Sequence, residues 1–378
     1  MTQATPTPKT MKAAVLTDLN SLEVRHIPVP RPRSGEALVK IIACGVCHTD
    51  LHVMRGEVAF PTPAVLGHEI SGTVVEFGPN TDPGDLQVGT DVVGAFIMPC
   101  TTCAECQSGR DDLCANFFAQ NRLNGTLYDG QSRLTDANGD VLAMYSMAGL
   151  AQYSVVPVSA LAPVPTSLDP IPAATLGCAA FTAYGAVHRA SGISAGDTVA
   201  VVAIGGVGTA IVQMAREAGA QQIIAIDVED NKLTSATQHG ATHTINSTTQ
   251  DVAATVDAIT GGTGVNIAFE ALGLPETFEL ATSILGDGGR MVAVGIAKGR
   301  ESASVEITRL VRRGHMVIGS FGARTRTDLP AVVALAAGGH IDTASLVTRT
   351  YSLDDAAAAY QALQNGEIIG RAVISMTT

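Results

Sequence analysis

Val201-Val202-Ala203-Ile204-Gly205-Gly206-Val207-Gly208 joins an apolar run, Thr198–Ala203, to a helical pattern over Thr209–Ala218. A strand that feeds a glycine turn and then a helix is where a dinucleotide fingerprint lies. The glycines let the backbone close on a pyrophosphate, and the helix N-terminus faces the anion. Ala203 occupies the first glycine position of the G-x-G-x-x-G pattern, so by itself the turn reads equally as a plain strand-to-helix corner. Its methyl has only to clear that corner, which predicts a tightened or shifted turn with binding kept.

Downstream, Gln222–Ile226, Val265–Phe269, Arg290–Val294 and Met316–Gly319 are near-continuous apolar runs alternating with helical segments. That pattern predicts βαβ units on a parallel sheet with helices on both faces. Asp227 closes the second strand, 19 positions after Gly208, and is placed to accept hydrogen bonds from the adenosine ribose hydroxyls. A carboxylate there repels a 2′-phosphate and Val228 offers no cation, so the expected cofactor is NAD rather than NADP. The plainer reading of Asp227 is a strand-end acid capping a turn. Upstream, Met11 to Val156 is β-rich, with runs such as Lys12–Leu16, Glu36–Ile42 and Gly72–Glu76 between Gly/Pro turns. After Thr325 come an Ala-rich helix, a short strand and a helix over Leu353–Gln364.

The 378 residues are enough for roughly two domains. A formal net charge of −12 argues against a nucleic-acid partner, which needs clustered Lys and Arg, and 46% hydrophobic residues argue against disorder. The most apolar region, Val199–Met214, is broken by Gly205, Gly206 and Gly208, so no membrane span is expected. Met1–Thr10 is Pro/Thr-rich and lacks the apolar core of a signal peptide, so it reads as a frayed tail on a cytoplasmic protein.

Seven cysteines, four of them within fifteen residues, point to metal ligation more than to disulfides. Cys100-x2-Cys103-x2-Cys106-x7-Cys114 can close a tetrahedral four-thiolate shell around zinc. A filled shell leaves no position for substrate, so the site is read as structural, a staple on the lobe Met98–Asn116. An iron–sulfur cluster or four reduced thiols are the alternatives. The remaining candidates are Cys47, His68 with Glu69, and Cys178. Two thiolates and an imidazole with one open position suit Lewis-acid chemistry at an alcohol or carbonyl oxygen. Spacings of 21 and then 110 positions cannot by themselves bring these residues together, and each alone has a bland reading as a core or turn residue.

Gly45-Val46-Cys47-His48-Thr49-Asp50, Gly67-His68-Glu69 and Gly177-Cys178, with the four-cysteine knuckle between them, resemble the zinc-containing medium-chain alcohol dehydrogenases. The resemblance runs in order from Lys12 to Ile374. It implies an α/β protein with a GroES-like β-rich catalytic domain, 11–180 with 325–378, carrying both zinc sites, and a doubly wound Rossmann domain, 181–324. It implies two zinc ions, a catalytic one on Cys47, His68 and Cys178 and a structural one on Cys100, Cys103, Cys106 and Cys114. Asp50 would orient His68, and Glu69 would sit behind the metal as an occasional ligand. Thr49 would hydrogen-bond the substrate oxygen and pass its proton through the nicotinamide ribose to His52. His48 and Arg371 would contact the pyrophosphate beside Gly205, Gly206 and Gly208; Thr182 and Val207 would line the nicotinamide, and Val294 would offer backbone to its carboxamide. The family places the ligand directly before His-Thr-Asp, which selects Cys47 and leaves Cys44 a buried bystander.

The long stretch from Cys114 to Val156, with Asn121–Thr126 and Tyr128-Asp129-Gly130, resembles the extended loop of the family's dimeric branch, so a homodimer is expected. Phe96 is read as narrowing an apolar pocket. No obvious clamp for a carboxylate or thiol-conjugate substrate stands out, and single arginines such as Arg122 are left open for that role. The expected reaction is reversible hydride transfer between a primary or secondary alcohol and NAD. The rival enzymes are a thiol-dependent formaldehyde dehydrogenase, a nicotinoprotein that retains NAD, and a zinc-free enone reductase, which the complete ligand set disfavours. A non-catalytic protein that kept the fold is the rival outside enzymes, against which the retained ligand and relay positions stand.

Overall fold

The computed structural model describes residues 6–377, and residues 1–5 of the expected tail lie outside them. The chain divides into two compact units. One runs to Cys178 and takes in Arg324–Ala337 and the chain from Thr343 onward; the other comprises Ala179–Ala323 and Gly338–Asp342. The short segment 338–342 thus lies with the second unit, whereas the sequence reading put everything from 325 onward in the first.

The first unit is built on the strand Glu36–Val46, buried along most of its length. It pairs antiparallel with Ile70–Phe77, with Tyr153–Pro157 over its first half and with Arg371–Ser375 over its last four residues. The register positions the site. Cys44 lies opposite both Ile70 and Ile374, and Ile70 lies opposite Gly94 of the strand Asp91–Gly94. The residues just after Val46, just before Ile70 and just after Gly94 therefore meet at one corner of the sheet. The C-terminal strand joins them, because Ala372 opposite Val46 puts Arg371 beside Cys47. A second sheet, Ser21–Pro28, Thr10–Asp18, Ala64–Val65, Val141–Met144 and Leu134–Thr135, completes the β-rich unit.

The second unit holds six parallel strands in the spatial order His243–Asn246, Gln222–Asp227, Thr198–Val202, Val265–Glu270, Leu285–Ala293 and Met316–Gly319. Numbered along the chain this is 3-2-1-4-5-6, the doubly wound order whose ligand crevice lies at the carboxyl ends of the central strands. Ala200, Val202, Ile224, Ile226, Ile245 and Ala268 fill one side of the sheet. The strand His243–Asn246 was not expected, since only Ile245 in it is strongly apolar. The strand ending at Ala293 starts at Leu285 rather than Arg290, its pairing shifted between Val265 and Ile267. The helix after the glycine turn spans Gly206–Glu217, so the last glycines form its first turn. Among the described residues no single helix is long and apolar enough to cross a membrane.

Candidate active site

Cys47, His68, Glu69 and Cys178 converge, with one donor atom from each lying within 4.8 Å of the others, and all four residues are buried. Backbone geometry brings them there. Gly45 N–H donates to Glu69 O (2.8 Å), tying the Cys47 and His68 segments together. A Cβ on Gly45 would stand 2.3 Å from a Glu69 carboxylate oxygen. Cys178 is held by its neighbour: Phe96 N–H donates to Gly177 O (3.0 Å), and a Cβ on Gly177 would sit 1.9 Å from Gly94 O. Only glycine permits either approach.

The electrostatics fit a cation at the centre of this set. The Cys47 thiol is held well below its ordinary range, first by its hydrogen bond with Cys178 and then by Arg371 and His68, against the cost of burial. Cys178 is pushed up correspondingly by its bond with Cys47 and by burial. Burial raises Glu69 to about 7 although Arg371 opposes it. Both Glu69 oxygens are buried without a hydrogen bond, and the nearest cation is Arg371 Nη1 at 3.4 Å from Oε1. Two thiols and an imidazole, with an unsatisfied carboxylate behind them, make a donor set suited to zinc. Asp50 is fully buried; its Oδ1 meets His68 Nδ1 at 3.0 Å and its Oδ2 accepts from Tyr360 Oη at 2.9 Å. Burial disfavours a charged His68, yet Asp50 and Cys47 hold its pKa up at about 10. Cys44 is not among the converging donors; burial pushes its thiol up and it faces Gly45 O at 3.6 Å.

Thr49 and His52 lie on the helix His48–Met54, with Thr49 Oγ1 at 3.6 Å from Cys47 Sγ. His52 Nδ1 pairs with Glu57. His48, exposed, starts the helix. The rings of Phe96 and Tyr145 stand edge-on to His68 at 6.1 and 6.2 Å.

Cys100, Cys103, Cys106 and Cys114 form a second cluster with sulfurs within 4.8 Å. Burial opposes ionisation of Cys100, but hydrogen bonds from Thr102 and Cys103 bring its pKa to about 6. Cys114 receives the backbone N–H groups of Cys100 (3.3 Å) and Phe117 (3.4 Å). N–H···S bonds of this kind favour thiolates, which suits a closed zinc shell. Arg326 anchors the lobe, its Nη2 at 2.7 Å and Nε at 3.0 Å from Asp111 Oδ1, and Nη2 also reaches Cys106 O.

In the parallel-sheet unit, Gly205 caps the helix and Val207 is half-buried in its first turn. A Cβ on Gly208 would come 2.1 Å from Ala203 O, which explains the glycine there. Ala203 itself has φ +75°, the left-handed conformation that glycine adopts freely. Asp227 is buried and accepts from the backbone N–H groups of Ile204 (2.7 Å), Val228 (2.8 Å) and Glu229 (3.1 Å), so it does cap the turn. Lys232 Nζ lies 3.9 Å from Asp227 and 2.6 Å from Glu229, a cation the sequence reading did not single out. Thr182 is buried in the helix Ala179–Tyr184, and Val294 N–H donates to Glu270 O (2.8 Å). Tyr360 and Glu57 were not singled out either. Tyr360 stands 310 positions from Asp50, and no local pattern marks such a partner.

Residues 33–166 match the alcohol dehydrogenase GroES-like domain and residues 206–338 the zinc-binding dehydrogenase domain. The chain is 36% identical to an S-(hydroxymethyl)glutathione dehydrogenase of Synechocystis sp., covering 96% of this chain and 99% of the relative. It is 34% identical to an NDMA-dependent alcohol dehydrogenase of Amycolatopsis methanolica, over 95% and 97% of the two chains. Benzyl alcohol dehydrogenase of Acinetobacter calcoaceticus superposes with a TM-score of 0.90 at 30% identity, over 97% of this chain and 99% of that one. The chain belongs to the zinc-containing medium-chain dehydrogenase family, an oxidoreductase of the alcohol dehydrogenase type with zinc and a nicotinamide dinucleotide as its cofactors.

Proposed function

We propose that the protein reversibly oxidises a primary or secondary alcohol to an aldehyde or ketone with NAD, at a zinc ion held by Cys47, His68 and Cys178. The observation that carries this reading is the convergence of two thiols, an imidazole and the unbonded Glu69 carboxylate in one buried corner. When bound, zinc supplies a Lewis acid that acidifies an alcohol hydroxyl, and the nicotinamide supplies the hydride acceptor. Asp50 fixes the His68 tautomer so that its other nitrogen faces the metal. The Thr49 hydroxyl, next to Cys47, accepts the alcohol's proton in a hydrogen bond, and His52, paired with Glu57, delivers it to solvent. His48 and Arg371 are assigned to the pyrophosphate; Arg371 Nε is a buried donor without a hydrogen bond. Gly205, Gly206, Val207 and Gly208 cradle the dinucleotide, with Thr182 and Val294 at its nicotinamide end.

NAD is favoured over NADP because a 2′-phosphate would face Asp227 and Glu229 while Lys232 is already paired with both. The knuckle is assigned a second, structural zinc. A homodimer is supported by the sheet edge Met316–Gly319, where Met316 and Val317 are 46% and 41% exposed and the adjacent Ile307 and Val311 are 75% and 73% exposed. An open apolar edge strand in a second copy is its natural complement. Thiols serving as metal ligands fit a reducing compartment, and the cytoplasm is the assigned location.

A second reading, oxidation of a thiol conjugate of formaldehyde, is favoured by the Synechocystis relative. A panel of alcohols and the formaldehyde–glutathione adduct, assayed with NAD and with an artificial acceptor, tests both. Turnover of simple alcohols with added NAD supports the first reading, turnover of the adduct alone supports the second, and turnover only with the artificial acceptor favours a retained NAD. Metal analysis should give about two zinc per chain from the two donor sets.

A further inference from the structure

Tyr145 is fully buried, yet its hydroxyl has no hydrogen-bond partner. The Arg122 guanidinium lies over its ring, 4.4 Å from the centroid, and Arg122 Nη1 is likewise buried and without a partner. The two groups act on each other electrostatically but form no well-aligned hydrogen bond. A buried donor left unmade costs about 1–3 kcal/mol, so an acceptor shared by both would satisfy them. The pair stands beside the metal corner, since the Tyr145 ring faces His68 at 6.2 Å and Phe60 closes its other edge at 4.9 Å.

Three arginines of the same unit are neutralised by buried carboxylates. Arg133 is paired with Glu36, Arg326 with Asp111 and Arg371 with Glu69. Among the described residues Arg122 makes no ion pair, in a chain whose net charge is −12. Its position is nonetheless built. It ends the π-helical turn Phe117–Arg122, and the preceding residue, Asn121, donates through Nδ2 to the carbonyls on either side of Tyr145, Met144 O (3.2 Å) and Ser146 O (3.1 Å). Ser146 is held at φ +51°, and π-turns and strained backbone of this kind gather at functional sites.

We propose that Arg122 and Tyr145 form an anion subsite of the substrate pocket, so that the preferred substrate is an alcohol carrying a carboxylate, with a spacer about the size of an aromatic ring between carbinol carbon and carboxylate. The carboxylate takes an ion-paired hydrogen bond from Arg122 and a second hydrogen bond from Tyr145, satisfying both orphan donors. This rests on the dehydrogenase reading above and narrows its substrate class.

The test compares 4-(hydroxymethyl)benzoate with its neutral isostere 4-(hydroxymethyl)benzamide as substrates of the zinc-loaded enzyme with NAD. The expected kcat/KM ratio favours the carboxylate by about tenfold or more. The ratio should collapse toward one in Arg122→Met, fall partway in Tyr145→Phe and be largely kept in Arg122→Lys. Equal use of the two substrates by the unaltered enzyme overturns the subsite, as does an Arg122→Met variant that keeps the preference; in both cases the dehydrogenase reading stands. If neither compound is oxidised under any condition, calorimetric binding of 4-(hydroxymethyl)benzoate to the zinc-loaded protein decides. Binding abolished by Arg122→Met supports the subsite while the dehydrogenase reading fails, and no binding overturns the subsite too.

Discussion

Tyr360 Oη donates a 2.9 Å hydrogen bond to Asp50 Oδ2, while the other oxygen of the same carboxylate holds His68 Nδ1 at 3.0 Å. The helix Ala356–Gln364, near the C-terminus, thereby orients the proposed zinc ligand His68, 292 positions earlier in the chain (360 − 68). Tyr360 is fully buried in this setting, and burial followed by the charges of Asp50 and Cys44 pushes its hydroxyl well up, so it remains a donor. Tyr360→Phe removes the bond with little change of shape. Loss of such outer partners weakens metal binding by about 10–100-fold, so this variant should surrender its catalytic zinc to a chelator faster than the parent. With cobalt in place of zinc, its d–d absorption bands should shift. A variant with unchanged spectrum and zinc release would reduce Tyr360 to packing.

Asp227 is bound to the glycine turn itself through Ile204 N–H at 2.7 Å. Asp227→Ala removes the charge proposed to face the ribose and leaves Lys232 with Glu229 as its remaining partner. The ratio of kcat/KM for NAD over NADP is expected to fall by about tenfold or more, the equivalent of one charged contact. Adding Lys232→Ala should remove whatever NADP activity was gained. A ratio that does not move would place cofactor selection elsewhere.

Asp111 is buried, and Arg326 closes over it with Nη2 at 2.7 Å and Nε at 3.0 Å. Arg326→Ala strands that carboxylate beneath the four-cysteine lobe. The expected cost is about 2–3 kcal/mol, below the fully buried range because the guanidinium is partly open to solvent. Thermal unfolding should show the loss together with faster zinc release from the knuckle. Adding Asp111→Asn should recover part of it, and failure of the second change to rescue would mean that Arg326 acts through Cys106 O instead.

How much of this was legible in the sequence follows from the range of the interactions. The parallel sheet was readable because each central strand is a near-continuous apolar run, and the knuckle because its four cysteines lie within fifteen residues. The strand His243–Asn246 lies at the sheet edge, where His243 and Thr244 need no apolar partner, so it left no apolar run to read. The corner of Cys47, His68 and Cys178 is set by strand register, Cys44 opposite Ile70 and Ile70 opposite Gly94, which spacing does not encode. Only the resemblance to a family could assemble it from sequence. The partners of Asp50, Asp227 and His52 were hidden for the same reason: a lone Tyr, Lys or Glu acquires meaning only from the side chain it faces.

Ala203 at φ +75° is a strained residue at the head of the nucleotide turn, where the sequence predicted only a tightened corner. An L-residue in the left-handed region costs about 1–2 kcal/mol, and glycine gives back about 0.4–1 kcal/mol through the entropy of the unfolded chain. Ala203→Gly should therefore stabilise the fold by about 0.5–1 kcal/mol, seen as a small rise in Tm. Because Ala203 already holds the conformation glycine would take, NADH affinity measured by fluorescence titration should change little. Gly208→Ala is the opposite case. Its methyl would meet Ala203 O at 2.1 Å, backbone that can yield only by opening the turn. NADH binding should then be lost while the β-rich unit keeps its zinc. If Ala203→Gly instead lowers Tm, the left-handed turn is not under strain and the alanine is packing there to advantage.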